Sequence, residues 1–264
     1  MNFGFFSPCG YVSPKYYDKD GVGFLKSFTA GFLTTCGLSS VGSPCVDNGE
    51  TLPLHGTISN TPADSISYEV SDDEIRIRAT VRDEVLFSHG LVLQREYVVP
   101  LMKNELYITD TVTNMGYTDT PLQMLYHFNV GYPLLDENTE LKIYAESVTP
   151  RNEHAATDID NCLNMEKPKC DYEEMCYYHK MSGTAEVSVY NPKLARGFVM
   201  SYDTSDLPYF TEWKMMGERD YVLGVEPGNT LPDGRNVMRE RGLLEVLKVG
   251  ETKTHKIKFT FLEK

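Results

Sequence analysis

The sequence lacks the features that mark several large classes of protein. No apolar run is long enough to cross a membrane as a helix, and the first residues lack the basic stretch and long apolar core of a secretion signal. Basic residues are a minority, since 25 Lys and Arg stand against 38 Asp and Glu, for a net charge of −13. We therefore expect no nucleic-acid partner, which would need clustered cations, and no membrane partner. These absences predict a cytoplasmic protein.

The motifs of common cofactor and nucleophile sites are also missing. The chain has no G-x-S-x-G, G-x-x-x-x-G-K, G-x-G-x-x-G or H-E-x-x-H sequence. Its six cysteines include no C-x-x-C pair, and outside a secreted protein they are expected to be reduced thiols. Cys162, Cys170, Cys176 and His179 lie close together in sequence, but their spacing fits no usual zinc site. We expect no metal and no disulfide.

Alternation of apolar and polar residues is the dominant pattern. Between residues 75 and 81, Ile and Val alternate with Arg and Thr, as in a strand with one buried face. Similar stretches recur up to a predicted hairpin at 243–247 and 254–261. No helical spacing of apolar residues continues over the length of a helix without an intervening proline or glycine. The sequence predicts a mainly β, antiparallel sandwich over residues 1–264 as one domain. The irregular acidic stretch at about 150–176 is either a domain boundary or an insertion, and strands on both sides of it favour an insertion.

Two histidines and one glutamate lie at unusual places. His55 follows turn-forming residues, His127 lies in an aromatic run at 125–133, and Glu226 ends an apolar strand before a proline and a glycine. Taken alone, such a histidine is more often a core residue and such a glutamate a solvated one. A carboxylate and imidazoles on one concave face would instead supply a general base and a general acid. An apolar surround would raise the carboxyl pKa toward neutrality.

These residues lie in segments that resemble the aldose 1-epimerase (galactose mutarotase-like) superfamily, and most closely a largely uncharacterised branch of it. The segments run in order from about residue 30 to the C terminus: GFLTTCGL, LHGTISNTPA, YHFNVGYPLL, WKMMG and YVLGVEP. The resemblance implies an antiparallel β-supersandwich of the galactose mutarotase type. Members of the superfamily usually have further strands ahead of the first segment. The sheet of this protein is therefore expected either to lack those strands or to correspond to the inner part of a longer ancestral fold.

The resemblance also implies a reaction on a free sugar. Glu226 would take the proton of the anomeric hydroxyl, His127 would protonate the ring oxygen, and His55 would hydrogen-bond near the ring oxygen and C1. Ring opening and reclosure would interconvert the α and β anomers of an aldose or sugar derivative. Only protons move, so no cofactor is expected, and the partner is a small sugar. Neither the sugar nor the oligomeric state follows from the sequence.

Five further residues are candidates for contacts with the sugar: Asn129, Trp213, Lys214, Arg95 and His179. Asn129 shares a strand face with His127, and a regular strand turns only one of Trp213 and Lys214 to the groove. Trp213 would stack on a sugar or pack in the core. Arg95 would lie in the groove or pair with a carboxylate. His179 lies near the expected place of an aspartate that the superfamily uses.

Departures from the superfamily leave other functions open. The superfamily's Asn–Arg or Arg–Asp sugar contact has no counterpart here, so a non-catalytic carbohydrate-binding protein is the alternative. A polysaccharide lyase or glycoside hydrolase is a third hypothesis, but hydrolysis would need two flanking carboxylates and only Glu226 has motif support. For anomer interconversion we expect a bell-shaped pH profile, its acid limb from the carboxylate and its basic limb from an imidazolium.

Overall fold

The structure is a computed structural model that describes residues 3–6, 20–28 and 30–263. Most of these residues form antiparallel strands. In chain order the strands are β1 (Phe5–Phe6), β2 (Ala30–Gly31), β3 (Leu33–Leu38), β4 (Cys45–Asp47), β5 (Glu50–Leu52), β6 (Ser65–Val70), β7 (Glu74–Glu84), β8 (Gly90–Pro100), β9 (Glu105–Asn114), β10 (Thr120–Pro121), β11 (Gln123–Gly131), β12 (Glu140–Ile143), β13 (Ser147–Pro150), β14 (Met175–Lys180), β15 (Thr184–Asn191), β16 (Arg196–Asp203), β17 (Tyr209–Met216), β18 (Tyr221–Gly228), β19 (Val246–Leu247) and β20 (Thr252–Glu263).

Helices are short in the described part of the chain. They are α1 (Phe24–Ser27), α2 (Glu153–Ala156) and α3 (Arg235–Glu240), with single 3₁₀ turns at Ile58–Asn60 and Ile159–Asn161. The longest, α3, has 6 residues. Across 3–6, 20–28 and 30–263, no helix has the length and apolar character needed to cross a bilayer.

Two large sheets face each other across the core. One has eight strands in the order β12-β15-β16-β20-β9-β8-β7-β6, and the other has six in the order β13-β14-β17-β18-β11-β3. Rings from both sheets meet between them: Phe128 of the six-stranded sheet lies 4.8 Å from Phe259 of the eight-stranded sheet, and Phe259 lies 5.4 Å from Phe198. These sheets confirm the predicted antiparallel sandwich, whereas its description as one domain stays a prediction.

The predicted C-terminal hairpin is wrong. Strand β19 pairs with β10, and β20 pairs with β9 on one side and β16 on the other, so β20 offers no edge to β19. The Asn114 side chain also donates to the Leu247 carbonyl at 3.0 Å, and the Asn114 carbonyl accepts from Gly250 at 2.9 Å. These bonds hold the 246–250 segment against the end of β9, and the two strands therefore belong to different sheets.

Alternation along the six-stranded sheet separates a core face from an outward face. On β11, Phe128 packs in the core between the sheets while its neighbour His127 points away from it. On β18, Val225 packs in the core while Glu226 points outward. This outward face carries the candidate site, and the core behind it fixes the strands that supply its side chains.

A buried ion pair joins the two sheets. Asp110, which is fully buried on β9, accepts from Arg95 on β8 at 2.7 and 2.6 Å. From the opposite sheet, the Tyr126 hydroxyl donates to Asp110 at 2.8 Å, and Arg95 donates to the Thr35 hydroxyl at 2.7 Å. Burial of the pair is offset by these four hydrogen bonds, which cross the sandwich as well as the sheet.

Loss of one member of this pair should destabilise the fold strongly. Asp110→Ala leaves the Arg95 charge buried without its partner, so we expect the free energy of unfolding to fall by about 3–5 kcal/mol. The double replacement Arg95→Met with Asp110→Leu removes both charges and should cost clearly less. Urea unfolding of the two variants measures the difference. Equal stability of the single and double variants would contradict this account.

Candidate functional site

A pocket of about 320 Å³ opens on the outward face of the six-stranded sheet. Four neighbouring strands, β14, β17, β18 and β11, each turn side chains to this face, and the lining residues among them are Cys176, Thr211, Trp213, Glu226 and His127. Loops close the pocket with His55 and Pro232, and the segment around α1 covers it with Phe24 and Phe28. The three predicted catalytic residues therefore lie in one pocket.

A carboxyl–imidazole pair lies at the centre of the pocket. Oε1 of Glu226 is 3.1 Å from Nε2 of His127, and the two side chains are only 2% and 8% exposed. The His55 ring lies 5.7 Å from the His127 ring. Glu226 Oε1 and Nδ1 of both histidines are buried without an aligned hydrogen-bond partner. Buried polar atoms are normally paired, so unpartnered atoms that line a pocket are candidates for contact with a ligand.

His55 is held in place by an unusual backbone turn. Its φ is +59°, in the left-handed region that few residues with a side chain adopt. The turn is locked against the β3 loop, since His55 N donates to the Gly42 carbonyl at 2.9 Å and its carbonyl accepts from Gly37 at 3.1 Å. At Gly56, a Cβ would lie 2.3 Å from the Gly37 carbonyl oxygen, so only glycine fits there. Strained backbone of this kind is characteristic of functional sites.

Burial decides the charge state of the site. It lowers the pKa of His127 to about 3, with help from His55, and it lowers the pKa of His55 to about 4, with help from the Arg151 cation. Burial also raises the pKa of Glu226 well above its usual range, and the Glu174 anion raises it further while Arg151 opposes the rise. Of the two groups, the carboxyl therefore holds a proton more tightly than the imidazole does. This reverses the order of the two titrations expected from the sequence.

Two opposite charges that sequence analysis missed, Arg151 and Glu174, also line the pocket. Arg151 donates to the Ser43 hydroxyl at 3.0 Å and to the Pro232 carbonyl at 3.3 Å. Glu174 accepts from the Trp213 indole at 2.7 Å. Both residues lie near the ends of the irregular stretch at about 150–176, and the only signal in the sequence was that long loops are often functional.

Thr211 is a further residue that the sequence did not single out. It lies directly opposite Glu226 in the β17–β18 register and lines the pocket. The residue is 1% exposed, and its hydroxyl has no hydrogen-bond partner. Its position two residues before Trp213, on the same strand face, was the available signal.

The predicted sugar contacts divide into those at the pocket and those away from it. Trp213 lines the pocket, with its ring 5.4 Å from the His127 ring. Asn129 shares the strand face of His127, but it is fully buried beside the pocket and donates to the carbonyls of His127 at 2.9 Å and Gly31 at 3.2 Å. It is thus placed to support the His127 backbone.

Lys214, His179 and Arg95 do not line the pocket, which corrects their predicted contacts. Lys214 points to the opposite face and donates to the carbonyls of Asn161 and Asn164 at 3.3 and 2.8 Å. Nε2 of His179 lies 2.8 Å from a carboxylate oxygen of Glu212 on that same opposite face. Arg95 took the second of its two expected roles, as the partner of a carboxylate between the sheets.

The sequence predicts reduced cysteines and no metal. The cysteines at 36, 45, 162, 170 and 176 are free thiols, and Cys9 lies outside the described residues. Within 3–6, 20–28 and 30–263, no three His, Cys, Asp or Glu side chains are grouped to hold a metal ion.

Residues 1–261 match a family model described as Domain of unknown function (DUF4432). The chain belongs to this family. No curated protein matches the sequence.

Solved structures extend the comparison for this DUF4432 member. A candidate aldose 1-epimerase from Klebsiella pneumoniae is 26% identical, with a TM-score of 0.93, over 99% of this chain and 71% of that one. A galactose mutarotase-like protein from Clostridium acetobutylicum is 15% identical, with a TM-score of 0.65, over 89% of this chain and 80% of that one. Galactose 1-epimerase from Lactobacillus acidophilus is 13% identical, with a TM-score of 0.62, over 99% and 85%. These likenesses confirm the resemblance and the galactose mutarotase fold.

The unpartnered hydroxyl of Thr211 gives a test of the pocket that is independent of its acid and base. Thr211→Val keeps the shape and removes no hydrogen bond, so stability should hold. If the hydroxyl contacts a bound sugar, kcat/KM for that sugar should fall by up to about tenfold. Thr120→Val is the matched control, because the buried Thr120 hydroxyl donates to the Thr118 carbonyl at 3.0 Å away from the pocket. It should lose about 1 kcal/mol of stability and keep its kinetics. The reverse pattern would exclude Thr211 from the site.

Proposed function

We propose that the protein is an enzyme that interconverts the α and β anomers of a free aldose or sugar derivative. The observation that carries the proposal is the buried pair of Glu226 and His127, 3.1 Å apart in a pocket with His55. The mutarotase fold supports it, because the fold matches proteins described as aldose 1-epimerases. Fold alone does not determine activity, so the argument rests on the site.

The reaction requires a base and an acid that reach two oxygens on one carbon. The anomeric oxygen and the ring oxygen are both bonded to C1, and one must lose a proton while the other gains one. A carboxyl oxygen and an imidazole nitrogen 3.1 Å apart are close enough for each to contact one of these oxygens. An acid and a base on opposite walls of the pocket could not both contact oxygens that are bonded to the same carbon.

The single proton of the pair is sufficient for both roles. Moving it from Glu226 to His127 creates a carboxylate and an imidazolium together, with no change in total charge. Burial alone disfavours this ion pair, but a bound sugar makes hydrogen bonds with both charges. The anomeric hydroxyl donates to the carboxylate, and the imidazolium donates to the ring oxygen. The ion pair of carboxylate and imidazolium, which is the form that reacts, is therefore stabilised when substrate is bound.

Ring opening and closure then balance. Glu226 accepts the anomeric proton, His127 gives its proton to the ring oxygen, and the C1–O5 bond breaks to leave an aldehyde at C1 and a hydroxyl at C5. After rotation about the C1–C2 bond, His127 takes back the C5 hydroxyl proton while the oxygen attacks C1. Glu226 returns its proton to the former carbonyl oxygen. The pair ends in its starting state, so no cofactor is consumed.

His55 and Trp213 have supporting roles in this proposal. The buried Nδ1 of His55 has no partner and lies beside the ring of His127, where it can bond a sugar oxygen near C1. The Trp213 ring offers an apolar face to the C–H groups of the sugar, and Glu174 fixes its orientation through the indole nitrogen.

Glu226→Gln tests the proposed base. The amide keeps the size of the side chain and can still hydrogen-bond the sugar, but it cannot accept the anomeric proton. General-base catalysis contributes about 10²–10⁴-fold, so kcat should fall at least about a hundredfold with little change in sugar affinity. Exchange NMR between the two C1 signals measures the rate, and calorimetry measures binding.

Glu212→Gln is the matched control for this test. Glu212 is also buried and also pairs with a histidine, at 2.8 Å from His179, but on the opposite face of the same sheet. This variant should keep the wild-type rate per folded molecule. If Glu226→Gln interconverts anomers at the wild-type rate, the proposed mechanism is wrong. If the wild type binds sugars without interconverting them, the carbohydrate-binding alternative replaces it.

The pH dependence of kcat/KM provides a second test. The active pair carries one proton, so activity should be lost below about pH 3–4, where His127 and His55 become protonated, and lost again as pH rises through the raised pKa of Glu226. Glu174→Gln removes an anion that raises this pKa, so its basic limb should move to lower pH. Glu173→Gln, one residue away and with a 70% exposed side chain, should not move it. An unmoved limb in Glu174→Gln would contradict the electrostatic account.

A further inference from the structure

We propose that Asp83 is a positioning residue that holds His55 in the pocket from outside it. Asp83 lies on β7, in the eight-stranded sheet. Of the described residues that line the pocket, none belongs to that sheet. The kinetic consequence of this role rests on the proposed function, in which His55 contacts the sugar near C1. The structural consequence, which is the place of the His55 ring, does not depend on that function.

The His55 turn is held on both sides by the β3 loop, residues 37–43. Gly37 donates to the His55 carbonyl at 3.1 Å, and the Gly42 carbonyl accepts from the His55 amide at 2.9 Å. Gly42 and Ser43 of the same loop also line the pocket. A displacement of the β3 loop would therefore move the His55 backbone, and the imidazole with it.

Asp83 binds the middle of the β3 loop, between these two glycines. Its Oδ2 accepts from the backbone amides of Leu38 at 3.3 Å and Ser39 at 3.2 Å, while its Oδ1 lies 3.2 Å from Nε2 of His89. Leu38 and Ser39 are both buried. Because a buried amide without an acceptor is costly, loss of the carboxylate should force the loop to move until its amides find water or another acceptor.

The charge of Asp83 strengthens this contact. Burial raises the pKa of its carboxyl, but the hydrogen bonds from His89 and from the two loop amides outweigh burial, so the pKa lies below its usual value. Asp83 is therefore a carboxylate at neutral pH, and a charged acceptor forms stronger hydrogen bonds than a neutral one. Since β3 belongs to the six-stranded sheet, these bonds tie the His55 turn to the opposite sheet of the sandwich.

Two other side chains keep the β3 loop folded when Asp83 is removed. Arg235 donates to the Ser39 carbonyl at 3.0 Å, and Gln123 accepts from the Val41 amide at 3.3 Å. Neither contact involves the amides that Asp83 binds. Loss of Asp83 alone should therefore shift the loop rather than unfold it.

NMR titration of Asp83→Ala tests the position of the His55 ring. Burial, with help from Arg151, lowers the pKa of His55 to about 4 in the wild type. A ring that moves toward water should titrate closer to its ordinary value of about 6.5. His127 is held on β11 and should stay well below that value. Protein labelled in the imidazole nitrogens, assigned with His55→Asn, reports both rings.

The expected kinetic effect is the loss of one contact with the sugar. In Asp83→Ala, kcat/KM should fall by about three- to tenfold, which corresponds to one hydrogen bond. Asp83→Asn keeps an oxygen that can accept from both loop amides. This conservative variant should restore the low pKa of His55 and most of kcat/KM, which a general loss of stability would not explain.

Asn191→Ala is the matched control. Asn191 ends β15 in the same sheet as Asp83, is fully buried, and accepts from two successive amides, those of Lys193 at 3.0 Å and Leu194 at 3.3 Å. It does not line the pocket. Its loss should also destabilise the fold, but the His55 titration and kcat/KM per folded molecule should stay at their wild-type values.

The outcomes separate this inference from the proposed function. An unchanged His55 titration in folded Asp83→Ala would overturn the inference, as would a raised pKa that Asp83→Asn does not restore. A raised and restored pKa supports the positioning even if the protein turns over no sugar, which would overturn only the proposed function. If Asp83→Ala does not fold, Asp83→Glu takes its place. The extra methylene group displaces the carboxylate from the two amides, so the His55 titration should move there too, and an unmoved titration would overturn the inference.

Discussion

Successive side chains of a β-strand point to opposite faces of its sheet, and the candidate site depends on this constraint throughout. On β17, Trp213 faces the pocket while Lys214, next in sequence, faces the other side and binds two loop carbonyls. On β18 the same rule turns Glu226 outward and Val225 into the core. Because the neighbouring strands are in register, a few alternate residues from distant parts of the sequence line one pocket.

Burial gives the titratable groups of this pocket unusual proton affinities. The sheet contains two glutamate–histidine pairs, and they differ in what surrounds them. Glu212 and His179 are 2.8 Å apart and hydrogen-bonded on the side away from the pocket. Glu226 and His127 line the pocket instead, and their pKa values move in opposite directions because desolvation favours the neutral form of each. Shifts of this kind in a cleft are typical of functional groups.

The sequence predicted the β architecture and the central residues, because periodicity and motif order are local properties. The convergence of His55, His127 and Glu226 followed from the resemblance alone. Contacts that depend on which strands pair were harder to predict from the sequence. His179 lies three residues after Cys176, but alternation along β14 and the pairing of β14 with β17 turn its side chain away from the pocket. The apolar cover from α1 could not be foreseen, since a helix of 4 residues leaves no periodic pattern.

The central claim is that a buried pair with one shared proton opens the sugar ring. NMR of protein labelled in the imidazole nitrogens and the glutamate carboxyl carbons, titrated with acid and base and assigned with Glu226→Gln, tests this claim most directly. The account predicts a neutral His127 ring down to about pH 3, and a Glu226 carboxyl that keeps its proton well above pH 4.5 in the free protein. An imidazole that titrates near its ordinary value of about 6.5, beside a carboxyl that ionises near about 4.3, would contradict it.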